Sequence, residues 1–304
     1  MQKADAVNWI DAPKNSDGCV ILTNAELGIP GIRMFGKGYA RKAEPALVAH
    51  YHANCLEFVF IENGTYHFTV NNQSYDLSGG DMFITLPNEV HDTGTENITV
   101  NAIYWFQIDT SNPDAFFYLV KEEAQNIMYH LNNLKTRVIR PDAPKTRSLL
   151  AQVFALFSPS SQQTRNTGAF LLLFFICQLL DDTFTRIDRL TRDIWCVIHY
   201  IQDNLSLAYN LDQLAGVAGL STSRFKQKFK TQLGMSPREY INAEKVKSAK
   251  QMLKEGKPVA RIAEDLGFMS NSYFSVFFHR YVGYSPRQYR DKNRAASNRR
   301  YGKG

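Results

Sequence analysis

LAGVAGLSTSRFKQKFKTQLGMSPREY, residues 214–240, and IAEDLGFMSNSYFSVFFHRYVGYSPRQY, residues 262–289, are one unit written twice. In register, Leu214 matches Ile262, Ala215 matches Ala263, Gly219 matches Gly267 and Leu220 matches Phe268. After one extra residue in the second copy, Phe225 matches Phe274, Phe229 matches Phe278, Gly234 matches Gly283, and Ser236-Pro237 matches Ser285-Pro286. Each copy reads as two short helices around a tight turn. A glycine able to adopt the left-handed conformation ends the first helix, and Ser221 or Ser270 caps the second. Ser236 to Glu239 and Ser285 to Gln288 are capping boxes with Pro at the first helical position. The pattern is that of a helix-turn-helix.

In the first copy, Phe225, Phe229 and Leu233 recur at helical spacing and form the buried stripe. Thr222, Ser223, Arg224, Lys226, Gln227 and Lys230 are left outside, and their hydroxyl, amide and cationic groups suit a major groove. Residues 236–255 read as one connecting helix of about 30 Å at 1.5 Å per residue, close to the roughly 34 Å between successive major-groove faces. One chain could therefore read two adjacent turns of duplex. The competing reading is an all-helical repeat used for protein contacts, with the basic residues as a solvated face.

The whole repeat resembles the DNA-binding domain of AraC-type transcriptional regulators, through Ile262-Ala263, Gly267-Phe268, Ser272-Tyr273-Phe274, Gly283, Ser285-Pro286 and Tyr289. The resemblance implies two helix-turn-helix units joined by a rigid helix and binding promoter DNA. It implies base contacts from Ser223, Lys226 and Gln227 in the first unit and from Asn271, Ser272 and Ser275 in the second. Val276 departs from the family, whose second unit commonly has Arg there. Thymine-methyl or backbone contact is the alternative at that helix.

Charge follows the repeat. Of the 304 residues, 186–304 hold 22 Lys+Arg against 10 Asp+Glu, whereas 1–185 hold 13 against 19. The basic segment should bind phosphate backbone in a salt-dependent way. Cys19, Cys55, Cys177 and Cys196 have no paired spacing, which fits free thiols rather than a disulfide framework or a zinc knuckle. The N-terminus lacks the apolar core of a signal peptide, and the longest apolar run, 169–177, is too short to span a bilayer. A cytoplasmic protein with no membrane partner is expected.

Residues 1 to about 110 carry β signals: apolar runs at 56–61, 66–70, 82–86 and 98–106, separated by Asn-Gly, Asn-Asn, Gly-Gly and Pro-Asn turns. Glu62-Asn63-Gly64 reads as a tight hairpin. Within this region stand His50, His52, Glu57, Gly79-Gly80-Asp81, Pro87 and His91, a spacing that resembles the motifs of cupins, small double-sheet barrels. Alternation along a strand places His50 and His52 on one face. The departure is Glu89, where the metal-binding pattern has Gly.

Three readings of the cluster stay open: contact with a small-molecule effector, a divalent metal in an N/O site, or structural hydrogen bonding. Tyr66, Phe68, Tyr104 and Phe106 could frame a pocket for a sugar, whose hydroxyls take hydrogen bonds and whose faces stack on rings, or they could be ordinary core. Tyr104 joins His50, His52, Glu57 and His91 as a candidate effector contact.

After Pro113 the period turns helical over 115–131, 145–157 and 168–182, with Pro141, Pro144 and 158–161 as breaks. The last segment is apolar nearly all round and must be covered by the chain itself or by a second copy. By the resemblance these helices form a homodimer interface. Residues 192–205 open the next domain, with Ile194, Trp195, Ile198 and Ile201 as its buried stripe.

The expectation is an α+β chain. A cupin-like effector-binding and dimerisation domain spans 1–182, a linker 183–191, a DNA-binding domain with two helix-turn-helix units 192–293, and a disordered basic tail 294–304. The function expected is sequence-specific transcription control, typically activation through RNA polymerase, in response to a sugar or related metabolite, with no cofactor and no catalysis. The alternative is a metal-binding cupin enzyme fused to a DNA-binding domain.

Overall fold

The computed structural model describes residues 6–71, 73–158, 161–181 and 191–301, with side chains to Asn293. The chain divides into two compact units. The first holds most of residues 1–188; the second holds 189–304 together with the short segments Arg41–Pro45 and Glu96–Val100. The expected linker, 183–191, lies almost entirely outside the described residues.

The first unit is a curled sheet covered by helices. Its elements are β1 (Val7–Asn8), β2 (Lys14–Ser16), β3 (Cys19–Thr23), α1 (Asn24–Leu27), β4 (Ile32–Ala40), β5 (His50–Tyr51), β6 (Cys55–Val70), β7 (Gln73–Ser78), β8 (Met82–Thr85), β9 (His91–Asp92) and β10 (Asn101–Asp109). They continue with α2 (Lys121–Asn132), β11 (Val138–Ile139), α3 (Ala143–Phe157) and α4 (Gln162–Leu180). Hydrogen-bonded neighbours run β1-β5-β9-β6-β10-β4-β3-β2, while β7 and β8 also pair with β6.

β6 carries the curl. Its first half pairs with β10 and β8, and its second half pairs with β7 and β9. The hairpin expected at Glu62-Asn63-Gly64 is absent, because the strand continues through it. The register against β10 shifts here, where Ala102 faces Asn63 and Ile103 faces Ile61, and Gly64 has φ +86°. The Asn-Gly pair thus supplies a bulge that bends one strand across two sheets. The reversal comes later, where Val70 pairs with Gln73.

Strand alternation then sorts the side chains. Phe58, Phe60, Ile84, Met82, Tyr104 and Phe106 share a hydrophobic core with α2, α3 and α4. Glu57, Gln107 and Thr85, paired across the same strands, lie on the opposite face.

The helix expected over 115–131 is interrupted. Ala115, Phe117 and Tyr118 all have positive φ, leaving a short 3-10 turn before α2. Pro144 is no break, since it sits in the first turn of α3, where a missing N–H is harmless. α4 starts at Gln162 under a Ser161 cap, and it buries Ala169, Leu172, Ile176 and Leu179 while Phe170 and Phe174 remain exposed.

The second unit comprises α5 (Arg192–Asp203), α6 (Leu211–Val217), α7 (Thr222–Leu233), α8 (Pro237–Lys254), α9 (Val259–Asp265), α10 (Asn271–Val282) and α11 (Pro286–Tyr301). It has two cores. One joins Ile194, Val197 and Ile201 of α5 to Leu214, Phe225 and Phe229, with Tyr240 and Ile241 packed against it. The other joins Val246, Ala249 and Leu253 to Ile262, Phe274, Phe278 and Tyr289. α8 therefore belongs to both cores.

Trp195 points outward and Val197 takes the buried position assigned to it. α11 continues to Tyr301, so the backbone is helical where a disordered tail was expected. The Ala-Ala and Arg residues there are good helix formers.

Candidate functional sites

His50 on β5, His52 just beyond it, Glu57 on β6 and His91 on β9 converge in the first unit. All four are buried. One ligand atom from each histidine lies within 4.8 Å of the others. The backbone sets each ring's tautomer: Nδ1 of His50 donates to the Val48 carbonyl at 2.7 Å, that of His52 to Trp9 at 3.0 Å, and that of His91 to Glu89 at 2.9 Å. Nε2 is thereby the ring atom left for contacts other than these backbone bonds.

Glu57 Oε1 lies 3.2 Å from His52 Nε2, and Oε2 lies 3.5 Å from His91 Nε2. Gln107 Nε2 donates to Glu57 Oε1 at 3.1 Å. Burial alone would raise the Glu57 carboxyl, but the charge of His52 outweighs it and holds the carboxyl well below its ordinary range. Burial also opposes protonation of His52, yet the Glu57 charge raises it. The two shifts have one cause, the attraction between His52 and Glu57. His50 is lowered by burial and by the neighbouring His91.

Three buried polar atoms on this face have no hydrogen-bond partner: Thr85 Oγ1, His91 Nε2 and Gln107 Oε1. A divalent metal fits this donor set. His50, His52 and His91 would hold it, displacing any proton on the ligating nitrogens, with the Glu57 carboxylate beside them as counter-charge. Such an ion supplies a Lewis acid, or a purely structural cross-link between strands.

Tyr104, expected beside these four residues, does not join them. Tyr104 belongs on the opposite face, packed 6.4 Å from the Phe35 ring and 6.5 Å from that of Phe154. Three positions separate it from Gln107 on β10, an odd number, so the two side chains take opposite sides. The aromatic pair on the histidine side is Tyr66 and Phe68; Phe68 stacks on Phe83 and lies 6.3 Å from His91.

Gln107 and Thr85 were missed. An amide inside the apolar run AIYWFQI was the available signal for the first. The N-terminal segment was also missed: besides the Trp9 carbonyl, the Trp9 ring lies 5.5 Å from His50. The Asp11 carboxyl accepts from the Trp9 indole and is raised by burial.

The helical unit presents the second candidate surface. Gly219 (φ +65°) and Gly267 (φ +67°) make the turns. Ser223, Arg224, Lys226, Gln227 and Lys230 are exposed on α7, and Asn271 and Ser272 on α10. Two of the proposed DNA contacts are less free. The Thr222 hydroxyl donates to Asp212, and Ser275 is half-buried. Ser270 caps α10 by accepting from Tyr273 N at 3.1 Å, whereas the Ser221 hydroxyl makes no capping bond. Val276, the departure from the family pattern, and Tyr273, which was not among the expected DNA contacts, are both exposed on α10.

A curled sheet followed by two helix-turn-helix units on a shared helix is the element order of a DNA-binding regulator. A helix-turn-helix domain family matches residues 214–292, and the cupin domain family matches residues 41–104. The HTH-type transcriptional activator RhaS of Shigella boydii is 24% identical over 254 residues, covering 79% of this chain and 86% of its own. The probable transcriptional regulator LumQ of Photobacterium leiognathi is 37% identical over 92 residues, covering 30% of this chain and 37% of its own. The crystal structure of ToxT from Vibrio cholerae is 16% identical, with 84% of this chain and 96% of that one covered at a TM-score of 0.34. With a cupin match first and a helix-turn-helix match last, the chain is similar to AraC-type transcriptional regulators. Among the described residues, no helix is long and apolar enough to cross a membrane.

Proposed function

We propose that this regulator is a cytoplasmic activator controlled by a small polar effector, a sugar or related metabolite, that enters the first unit on the histidine face. The observation that carries this reading is the set of unpaired buried atoms, Thr85 Oγ1, His91 Nε2 and Gln107 Oε1. Buried polar groups are almost always paired, so three orphans on one face mark a place where a hydroxylated ligand would complete the bonding. Tyr66 and Phe68 offer rings to its apolar faces.

Effector occupancy shifts the arrangement that presents α7 and α10 to promoter DNA, and transcription rises through contact with RNA polymerase. The name of the relative RhaS supports activation. Ser223, Arg224, Lys226 and Gln227 are the base-reading set of the first unit, with Asn271 and Ser272 at the second. The exposed Phe170 and Phe174, one turn apart on α4, support a homodimer through that face.

A second reading is favoured by the three Nδ1-to-carbonyl bonds, which point three Nε2 atoms at one place: a divalent metal at His50, His52, His91 and Glu57. An enzyme reading would rest on the same four residues and requires turnover.

Thermal stability across a panel of sugars and sugar acids, with and without chelator, tests both. A ligand at 100 times its Kd adds about 2.7 kcal/mol to the folded state. A shift with one sugar that survives chelation is expected for the effector. A response to chelator alone, with none to any sugar, overturns the sugar reading in favour of the metal.

A further inference from the structure

We propose that the second helix-turn-helix reads thymine, by apolar contact of Val276 and Tyr273 with 5-methyl groups in the major groove. The inference rests on the DNA-binding function of the helical unit and concerns what its second half recognises.

The two recognition helices share a frame and present different chemistry. In register, Arg224 of α7 matches Tyr273 of α10, Lys226 matches Ser275, Gln227 matches Val276 and Lys230 matches His279. Burial follows the same register, with Phe225 and Phe229 matched by Phe274 and Phe278, all fully buried. The groups that face outward are therefore set by the frame. On α7 they are a guanidinium, an amide and ammonium groups. On α10 Tyr273 is 60% exposed and Val276 69% exposed, and Met269, the extra residue of the second copy, is 99% exposed.

α10 carries no Lys or Arg before Arg280, whose guanidinium lies 5.9 Å from the Tyr281 ring. The cationic pairing to guanine available to Arg224 and Lys226 has no counterpart at the matched positions.

An isopropyl group has no donor or acceptor with which to sense O6, N7 or N4. The one apolar feature that the major groove displays is the thymine methyl. Val276, placed where Gln227 sits in the first unit, selects for that methyl, and Tyr273 one turn earlier extends the apolar surface. Asn271 and Ser272, at the exposed start of the helix, add hydrogen bonds to the neighbouring base edges and set the register.

The test uses the full chain. Preferred duplexes are selected from a random pool, and each thymine is then replaced by uracil, which removes only the 5-methyl group. The half read by each unit is assigned from the positions at which Q227A relaxes preference. In the other half, at least one T-to-U change is expected to weaken binding about fourfold, or ~0.8 kcal/mol for one buried methyl. Val276→Ser should bind the thymine duplex as weakly as wild type binds the uracil duplex, and should no longer distinguish the two.

Val276→Gln, which copies the first unit, should shift preference at that position toward adenine. Because Val276 is exposed, an unchanged melting profile verifies the fold of each variant. Equal binding of thymine and uracil throughout that half overturns the proposal, as does a uracil effect that Val276→Ser leaves intact. If V276S keeps wild-type DNA binding and loses only transcription, the face docks a protein and the proposal also falls. A pool that yields no preferred sequence would overturn the DNA-binding reading itself.

Discussion

The histidine site and the recognition helices hold their polar groups under opposite physical conditions. His50, His52, His91 and Glu57 are buried, drawn from strands that meet only because β6 bends, and three polar atoms around them lack partners. The polar residues on the outer face of α7 stand in water and come from eight consecutive positions, 223–230. A buried, incompletely satisfied cluster changes its free energy strongly when a ligand arrives, so binding there should register as stability of the first unit. A hydrated basic face changes little in the free protein, so binding there should register as dependence on salt and base sequence.

The largest effect separates the two units. Phe229→Ala removes a fully buried ring from the core around α7 and should cost about 3–5 kcal/mol. Two-transition unfolding, with DNA binding lost and the first unit's ligand response retained, is the expected result. Simultaneous loss of both responses would erase the distinction between the units.

Zinc at 100 times its Kd should stabilise the first unit by about 2.7 kcal/mol, and His91→Ala should remove the gain. The gain should shrink as pH falls from about 7.5 to 5.5, because protons compete for the imidazoles. Calorimetry that finds no zinc effect on the wild type discards the metal reading and leaves the orphaned atoms to an organic effector.

On α7, Lys226→Ala and Gln227→Ala should each lose roughly 1–3 kcal/mol, confined to particular base pairs. Quantitative binding to a sequence panel checks this, and a uniform loss would assign the residue to phosphate. The smallest contrast lies between the two copies. Ser270→Ala should cost about 1 kcal/mol of helical-unit stability, while Ser221→Ala should cost much less, since only the Ser270 hydroxyl makes its capping bond. Equal losses in chemical denaturation would contradict the difference between the two turns.

Much of the helical unit was legible because its signals are local. The capping box at Ser236 and Glu239 forms as written, with Ser236 N donating to the Glu239 carboxylate at 2.7 Å, and Ser285 N donates to Gln288 at 2.8 Å. The failures there are of side-chain direction: Trp195 faces out and Val197 in, because a helix stripe read from four positions leaves its edge undefined. In the sheet, the motif spacing located His50, His52, Glu57 and His91, but Asn63-Gly64 was ambiguous between a turn and a bulge. Asn-Gly serves both, and only pairing of the flanking residues with β10, β7 and β8 decides which forms.

By itself, then, the sequence determined the repeated helix-turn-helix frame, the caps, the charge division and the metal-capable spacing, because each depends on residues within a few positions or on composition. Tertiary structure decided that Gln107 and Thr85 meet Glu57 while Tyr104 joins the helices, and that Trp9 reaches the histidines. Strand alternation separates two faces without saying which is inner; that follows only when α2, α3 and α4 cover one face and the bend in β6 closes the other.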